Sequence, residues 1–285
     1  MAAELASDLR LSEAPAWRGR PVGKSVARLW SGLWPKLGAV LLTTVIWQVV
    51  VWSGWRPEST LPGPWPVLER LAGDLGHGDF YLGIAVTLRR AAFGYAIAVG
   101  AGIVVAIFMA RIKLARRAVG SLLVGLQSMP SIAWFPLAIL LLQHSEGAIT
   151  FVVLMGAAPA ISAGLLSGMD QVHPILIRVG RAMGADGFRL YRHVILPAAL
   201  PAFVGGLKQG WAFAWRSLMS AELLVVAANQ TSIGQQLQSA RNLPDTQQLL
   251  ALMIVIFIIG VVIDSLFGGL DREIRRRWGL LGGEI

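Results

Sequence analysis

Three ionisable residues, Lys208, Arg216 and Glu222, lie inside one long apolar stretch, LPAALPAFVGGLKQGWAFAWRSLMSAELL, where they could hold a charged solute away from bulk water. A charge at the centre of a membrane helix costs about 2.5 to 3.5 kcal/mol on insertion scales, so such residues are functional candidates by default. From a helix start near residue 198, a rise of about 1.5 Å per residue puts Lys208 ~15 Å, Arg216 ~27 Å and Glu222 ~36 Å along the axis. At about 100° per residue, Lys208, Trp211, Trp215 and Glu222 share a stripe about 60° wide, with Arg216 about 80° from Lys208. Two readings follow. In one, Lys208 snorkels, Arg216 and Glu222 sit at an interface, and the tryptophans form an aromatic belt. In the other, the stripe lines a path, and Lys208 and Arg216 hold an anion that would otherwise bear its full desolvation cost.

A second constellation interrupts the apolar sequence. Residues 169–197 include RAMGADGFRLYRHVILP, in which apolar anchors (Met183, Phe188, Leu190, Tyr191) alternate with Asp186, Arg189, Arg192 and His193. The pattern predicts an amphipathic helix of about ten residues, entered at Gly184 to Asp186 and ended before Pro197. Such a helix either lies flat on the inner leaflet, its arginines on anionic headgroups, or offers Phe188 or Tyr191 to a groove on a cytosolic partner. Periodicity alone leaves both open.

The elements that position these groups read as membrane spans. Of 285 residues, 55% are hydrophobic and 14% charged, against roughly 25% charged in soluble domains. Uninterrupted apolar length gives six candidate helices near 37–53, 83–110, 118–143, 147–168, 198–226 and 247–270. Most of the 25 Lys and Arg residues fall in the N-terminal tail, in the loop holding Arg111 to Arg117, in the 169–197 interruption and in the C-terminal tail. The positive-inside rule therefore places both termini in the cytoplasm, with 54–82 and 227–246 outside. The expected organisation is a basic cytoplasmic tail at 1–36, a transmembrane domain at 37–270 and a cytoplasmic tail at 271–285.

Other features exclude chemistries or assign packing. With no cysteine, disulfides, thiolate metal sites and cysteine nucleophiles are ruled out. His77, His144, His173 and His193 show no metal-ligand spacing, and the net charge of +9 belongs to membrane topology rather than to nucleic-acid binding. The first 36 residues lack a signal-peptide pattern. Gly94, Gly100, Gly102, Gly156 and Gly164 are expected at close helix packing, Pro130, Pro136 and Pro159 at kinks, and the 128–131 break at a gate. Arg89 and Arg90 are expected to snorkel at the outer side, and Asp264 to pair with a nearby arginine or face the interface.

Gly184 followed by Val194-Ile195-Leu196-Pro197 resembles the signature loop of bacterial ABC importer permeases, Glu-Ala-Ala, three residues, Gly, nine residues, Ile, one residue, Leu-Pro. Arg178, Val179 and Gly180 stand in place of Glu-Ala-Ala, so the acidic residue of the pattern is missing. The resemblance covers about 82–270, and GLKQGWAFAWRSLMSAELL is similar to the nitrate, sulfonate and taurine branch. It implies an all-α membrane protein with about six spans of the type I ABC importer permease fold, located in the bacterial plasma membrane. It implies that the 169–197 loop is a coupling helix, with Gly184, Ala185, Asp186, Phe188, Tyr191, Arg192, Leu196 and Pro197 against an ATPase, and that Lys208, Trp211, Trp215, Arg216 and Glu222 line the path.

The implied assembly is a permease homodimer, two ABC ATPase subunits and an extracytoplasmic solute-binding protein. The chain has no Walker A pattern, so it is expected to hold no cofactor and perform no hydrolysis, with ATP and Mg on the partner. The expected cargo is a small oxyanion, an aliphatic sulfonate or taurine first, nitrate or bicarbonate next. The competing class is an ATP-independent secondary transporter or channel for a small anion.

Overall fold

The computed structural model describes residues 23–225 and 231–278, and every regular element in them is helical. The chain divides into two compact units, Met1–Pro64 and Trp65–Ile285. Most of the basic tail expected at 1–36 and the last residues of the C-terminal tail lie outside the described residues. In the first unit, helix α1 (Gly23–Trp52) carries a short apolar part, Leu37–Trp52, less than the ~20 residues that cross a bilayer. The Trp47 indole N–H donates to the Pro62 carbonyl, 3.2 Å away, folding the following turn back on the helix.

The second unit begins with a short helix, α2 (Pro64–Asp74). Its long elements are α3 (Gly78–Arg111), α6 (Glu146–Asp170), α9 (Leu196–Leu224) and α11 (Thr246–Arg277). All four are long and apolar enough to cross a membrane, α9 together with the residues from Phe188 on. Between α3 and α6 lie α4 (Lys113–Ser128), a 3-10 turn (Ser131–Trp134) and α5 (Phe135–Leu142). The span expected at 118–143 is thus two pieces meeting at 107°. Pro130 excludes its predecessor from the helical region, and Met129 is extended, with φ −74° and ψ 133°. Of the expected kinks, only this one ends a helix. Pro136 sits in the first turn of α5, where its missing N–H is harmless, and α6 runs on through Pro159.

α6 is the central helix, and small residues set its register. A Cβ on Gly94 of α3 would lie 3.0 Å from Val153, and one on Gly102 2.9 Å from Ile161, so α3 and α6 run parallel. Against α9 the pairs are Gly156 with Ser217, Gly164 with Gly206 and Gly168 with Ala199, which makes that packing antiparallel. Such close approach supplies the dispersion contact that replaces the hydrophobic effect between helices in lipid. Gly100, expected in this role, faces open space instead. Trp215 of α9 lies beside Gly260, and Lys208 beside Asp264, so α11 is antiparallel to α9.

These directions have a topological consequence. Parallel α3 and α6 require the chain to return between them, and only the bent α4–α5 pair is available to do so. The Trp65–Ile285 unit therefore has four long spans and a bent pair that serves as a fifth, so the third expected span is broken rather than continuous. Among the described residues, length and composition alone give four spans, or five with the bent pair.

Candidate functional site

Where α6 begins and α9 ends, four side chains from three helices close a buried ionic cluster. Arg90 of α3 is 6% exposed and Glu222 of α9 1% exposed. The Arg90 Nη1–H donates to Glu222 Oε1 at 3.0 Å, and its Nε–H donates to Glu146 Oε2 at 2.9 Å. Thr87 Oγ1–H donates to the second Glu222 oxygen at 2.9 Å. Ser232 caps a further helix, α10 (Ile233–Asn242), whose first N–H groups complete the cluster: Ile233 donates to Thr87 Oγ1 at 3.1 Å and Gly234 to Glu222 Oε2 at 3.2 Å.

Glu222 is therefore enclosed, with a donor on each carboxylate oxygen, and in this structure it faces its partners rather than an open path. Arg90 does not snorkel, because two carboxylates and a protein wall hold it inside. The signal available in the sequence was sign: intramembrane Arg90 and Glu222 need partners of opposite charge, and each is the other's. The cluster fixes α10 in place, an element that sequence reading treated as an outside loop.

Trp211 and Trp215 are also buried, at 7% and 9% exposure. Their rings stack at 6.2 Å, Tyr95 meets Trp211 edge-on at 5.3 Å, and Tyr95 Oη–H donates to the Leu207 carbonyl at 2.8 Å. This aromatic layer ties α3 to α9, so the tryptophans pack between helices rather than form an interfacial belt. Lys208 is half-exposed, and its Nζ lies 3.2 Å from Asp264 Oδ2. Asp264, expected beside an arginine, is thus the counter-ion of that lysine. For so exposed a pair, Lys208→Ala is expected to cost less than about 1 kcal/mol, a shift of a few degrees at most in a thermal melt of the detergent-purified chain.

Arg216 has a different environment. It is exposed, its Nε–H donates to the Ala212 carbonyl at 3.0 Å, and its guanidinium carbon lies 4.7 Å from the centre of the Phe213 ring. No carboxylate lies within ion-pair distance of it among the described residues. It borders two cavities. One, of about 660 Å³, runs between α9 and α11 past Trp215, Gly260 and Asp264. The other, of about 640 Å³, opens at the α4–α5 break past Gln127, Ser128, Ser131, Trp134 and Ser220.

At the opposite end of the bundle lies the interruption. It is not one helix ended before Pro197. A helix, α7 (Pro174–Ala182), is capped by the His173 side chain, which accepts from the Ile175 N–H. A turn follows, with Gly184 at φ +80° and Gly187 at φ +54°, left-handed conformations that favour glycine. From a single turn, α8 (Phe188–Leu190), the chain passes through a π turn (Tyr191–Ile195) directly into α9. The Leu196 N–H reaches back to the Tyr191 carbonyl, and this wider turn carries the helix past Pro197, which cannot donate.

The turn is held from beneath. Leu190 and Ile195 are buried with Val172 and Ala199, and a Cβ on Gly180 would lie 2.9 Å from Leu190 and Val194. The Tyr191 ring, half-buried, lies 5.1 Å from the guanidinium carbon of Arg111 on α3. Met183 and Phe188 project outward, 81% and 67% exposed. Ala185 is half-buried, while Gly184, Asp186, Arg192, Leu196 and Pro197 are exposed.

A bundle of long apolar helices with a broken span, and a structured turn continued into one span, defines a multi-pass membrane protein. Residues 98–276 match the family described as the binding-protein-dependent transport system inner membrane component, and the chain belongs to that family. A probable ABC transporter permease protein of Brucella melitensis is 29% identical over 84% of this chain and 96% of its own length. The putative aliphatic sulfonates transport permease protein of Bacillus subtilis is 27% identical over 96% of each chain. The nitrate import permease protein of Synechocystis is 28% identical over 82% of this chain and 86% of its own. Among solved structures, a chain of the MetNI methionine ABC transporter in an inward-facing conformation shares the fold, with TM-score 0.54, 19% identity and coverage of 74% of this chain and 96% of that one.

Proposed function

We propose that two copies of this chain, two ABC ATPase subunits and an extracytoplasmic solute-binding protein form an importer that carries a small oxyanion into the cell. An aliphatic sulfonate or taurine is the first choice of cargo and nitrate or bicarbonate the next. ATP and Mg are held by the ATPase subunits. The basic loops and tails face the cytoplasm, and the end holding Arg90 and Glu222 faces out. Sulfonate and nitrate in the names of the relatives support the cargo class. So does Arg216, a cation that has no counter-ion among the described residues and lies beside two cavities, since an anion entering there recovers the charge interaction it loses with water.

The observation that carries the coupling role is the turn at 183–188. It exposes Met183 and Phe188 above a packed base and continues without a break into α9. A push on Phe188 moves the whole of α9 as a rod, and the glycine pairs transmit it to α6. Closure of an ATPase dimer then tilts α6 and α9 together, by rigid-body motion.

The test is ATP-dependent uptake of taurine, ethanesulfonate and nitrate into proteoliposomes holding the assembled transporter and its binding protein. Phe188→Asp is expected to reduce uptake about tenfold or more, as loss of an interface anchor does, while Phe188→Leu retains most of it. Gly184→Pro, which cannot reach φ +80°, is expected to behave like Phe188→Asp. Wild-type uptake from Phe188→Asp, or uptake that continues without ATP, would count decisively against the reading.

A further inference from the structure

The two cavities beside Arg216 share Met219 and Ile256 as well, yet their chemistry differs. The cavity between α9 and α11 is mainly apolar and contains a carboxylate, Asp264, already engaged with Lys208. Among the described residues, the cavity at the α4–α5 break has no acidic residue in its wall. There the Arg216 guanidinium, without a carboxylate partner among the described residues, shares the wall with Gln127, Ser128, Ser131 and Ser220. Positive charge surrounded by neutral hydrogen-bond donors is the composition that selects an oxyanion over a cation or a neutral solute.

The backbone supports the same assignment. In a bilayer, non-helical backbone is tolerated only where it is covered by protein or lines a hydrated cavity. Met129 and Pro130, where the helix is broken, both line this one. The donors are also available. Ser128 Oγ–H and Ser220 Oγ–H donate to the Gly125 and Arg216 carbonyls at 2.8 and 3.0 Å, local bonds that a hydroxyl can exchange for a stronger acceptor. Gln127 Nε2 reaches the Pro159 carbonyl only at 3.4 Å, through one of its two N–H groups.

We propose that the hollow at the α4–α5 break is an organosulfonate subsite: Arg216 supplies the charge, Gln127, Ser128, Ser131 and Ser220 bond the remaining oxygens, and Trp134 and Met219 receive a short alkyl group. The proposal rests on the oxyanion-import reading above and assigns where that cargo is held. It also separates Arg216 from Lys208, whose charge Asp264 cancels.

Because the chain contains no cysteine, a Ser131→Cys variant carries one thiol, whose reaction rate reads the local potential. The experiment labels this full-length variant in membranes with two methanethiosulfonates of similar size, one bearing a sulfonate and one an ammonium. The sulfonate reagent is expected to react faster relative to the ammonium reagent than it does with a free thiol, by about tenfold for one nearby uncompensated charge. Added ethanesulfonate is expected to slow the reaction. Arg216→Gln in the same background should abolish both effects, and Arg216→Lys should keep the charge preference. A rate ratio equal to the free thiol's, or one unaffected by Arg216→Gln, overturns the subsite.

Wild-type uptake keeps the two proposals apart. If the assembled transporter carries sulfonate but labelling shows neither preference nor protection, the subsite falls and the import reading stands. If labelling behaves as expected and no sulfonate is carried, the import reading falls alone.

Discussion

An Arg90→Met chain is expected to lose about 3 to 5 kcal/mol of stability, because removing one partner of a buried ion pair leaves the other charge enclosed without compensation. The stranded charge is Glu222, 1% exposed. Its Oε2 keeps Thr87 and the Gly234 N–H, but Oε1 loses its only hydrogen-bond donor among the described residues. Glu146, with a side chain 44% exposed, can turn to water. Thermal unfolding of the detergent-purified chain, followed by the fluorescence of its 11 tryptophans, measures the loss. The double variant Arg90→Met with Glu222→Leu is expected to regain part of it, because a well-packed apolar pair often replaces a buried ionic one at little cost. A single variant that melts with the wild type would show that the cluster contributes nothing to holding α3, α9 and α10 together.

The second large effect is a contrast between adjacent residues. Gly206→Ala is expected to destabilise the chain by about 1 to 3 kcal/mol, the usual cost of overpacking, and Gly205→Ala to stabilise it by up to about 1 kcal/mol. A methyl on Gly206 would lie 2.7 Å from the Cα of Gly164, an atom of the α6 backbone that no rotamer change can move aside. α6 and α9 must then separate, losing contact along their whole length. A methyl on Gly205 meets nothing within 4 Å and removes only the backbone freedom that glycine brings to a helix. Melting both variants under the same conditions checks the sign as well as the size. Equal behaviour would remove the glycine contact as the determinant of the α6–α9 spacing.

The turn at Gly184 and the long apolar elements were legible because both depend on local rules. Only glycine reaches φ +80° cheaply, and apolar length reads directly as helix in lipid. The expected end of the helix at Pro197 was wrong for a reason that propensity does not contain. A π turn widens the backbone by one residue and carries the missing donor past its position, and the packing of Leu190 and Ile195 against Val172 selects that arrangement. The break at Pro130 was visible, but its 107° angle was not, because the angle depends on how α4 and α5 each rest on α6.

Residue type and order by themselves determined that the chain is a multi-pass helical membrane protein, where its four long apolar helices lie, where a turn interrupts them, and that Arg216 carries a cation among apolar residues. Only the tertiary structure decided which charges are spent on each other. Lys208, Arg216 and Glu222 look equivalent along one helix, yet Asp264 neutralises the first, Arg90 encloses the third, and the second is left facing two cavities. Helical periodicity fixes the direction in which a side chain leaves its own axis. Whether that direction ends on a counter-ion, another helix or an open space is set by the neighbouring helices, whose registers arise from contacts between residues far apart in the chain.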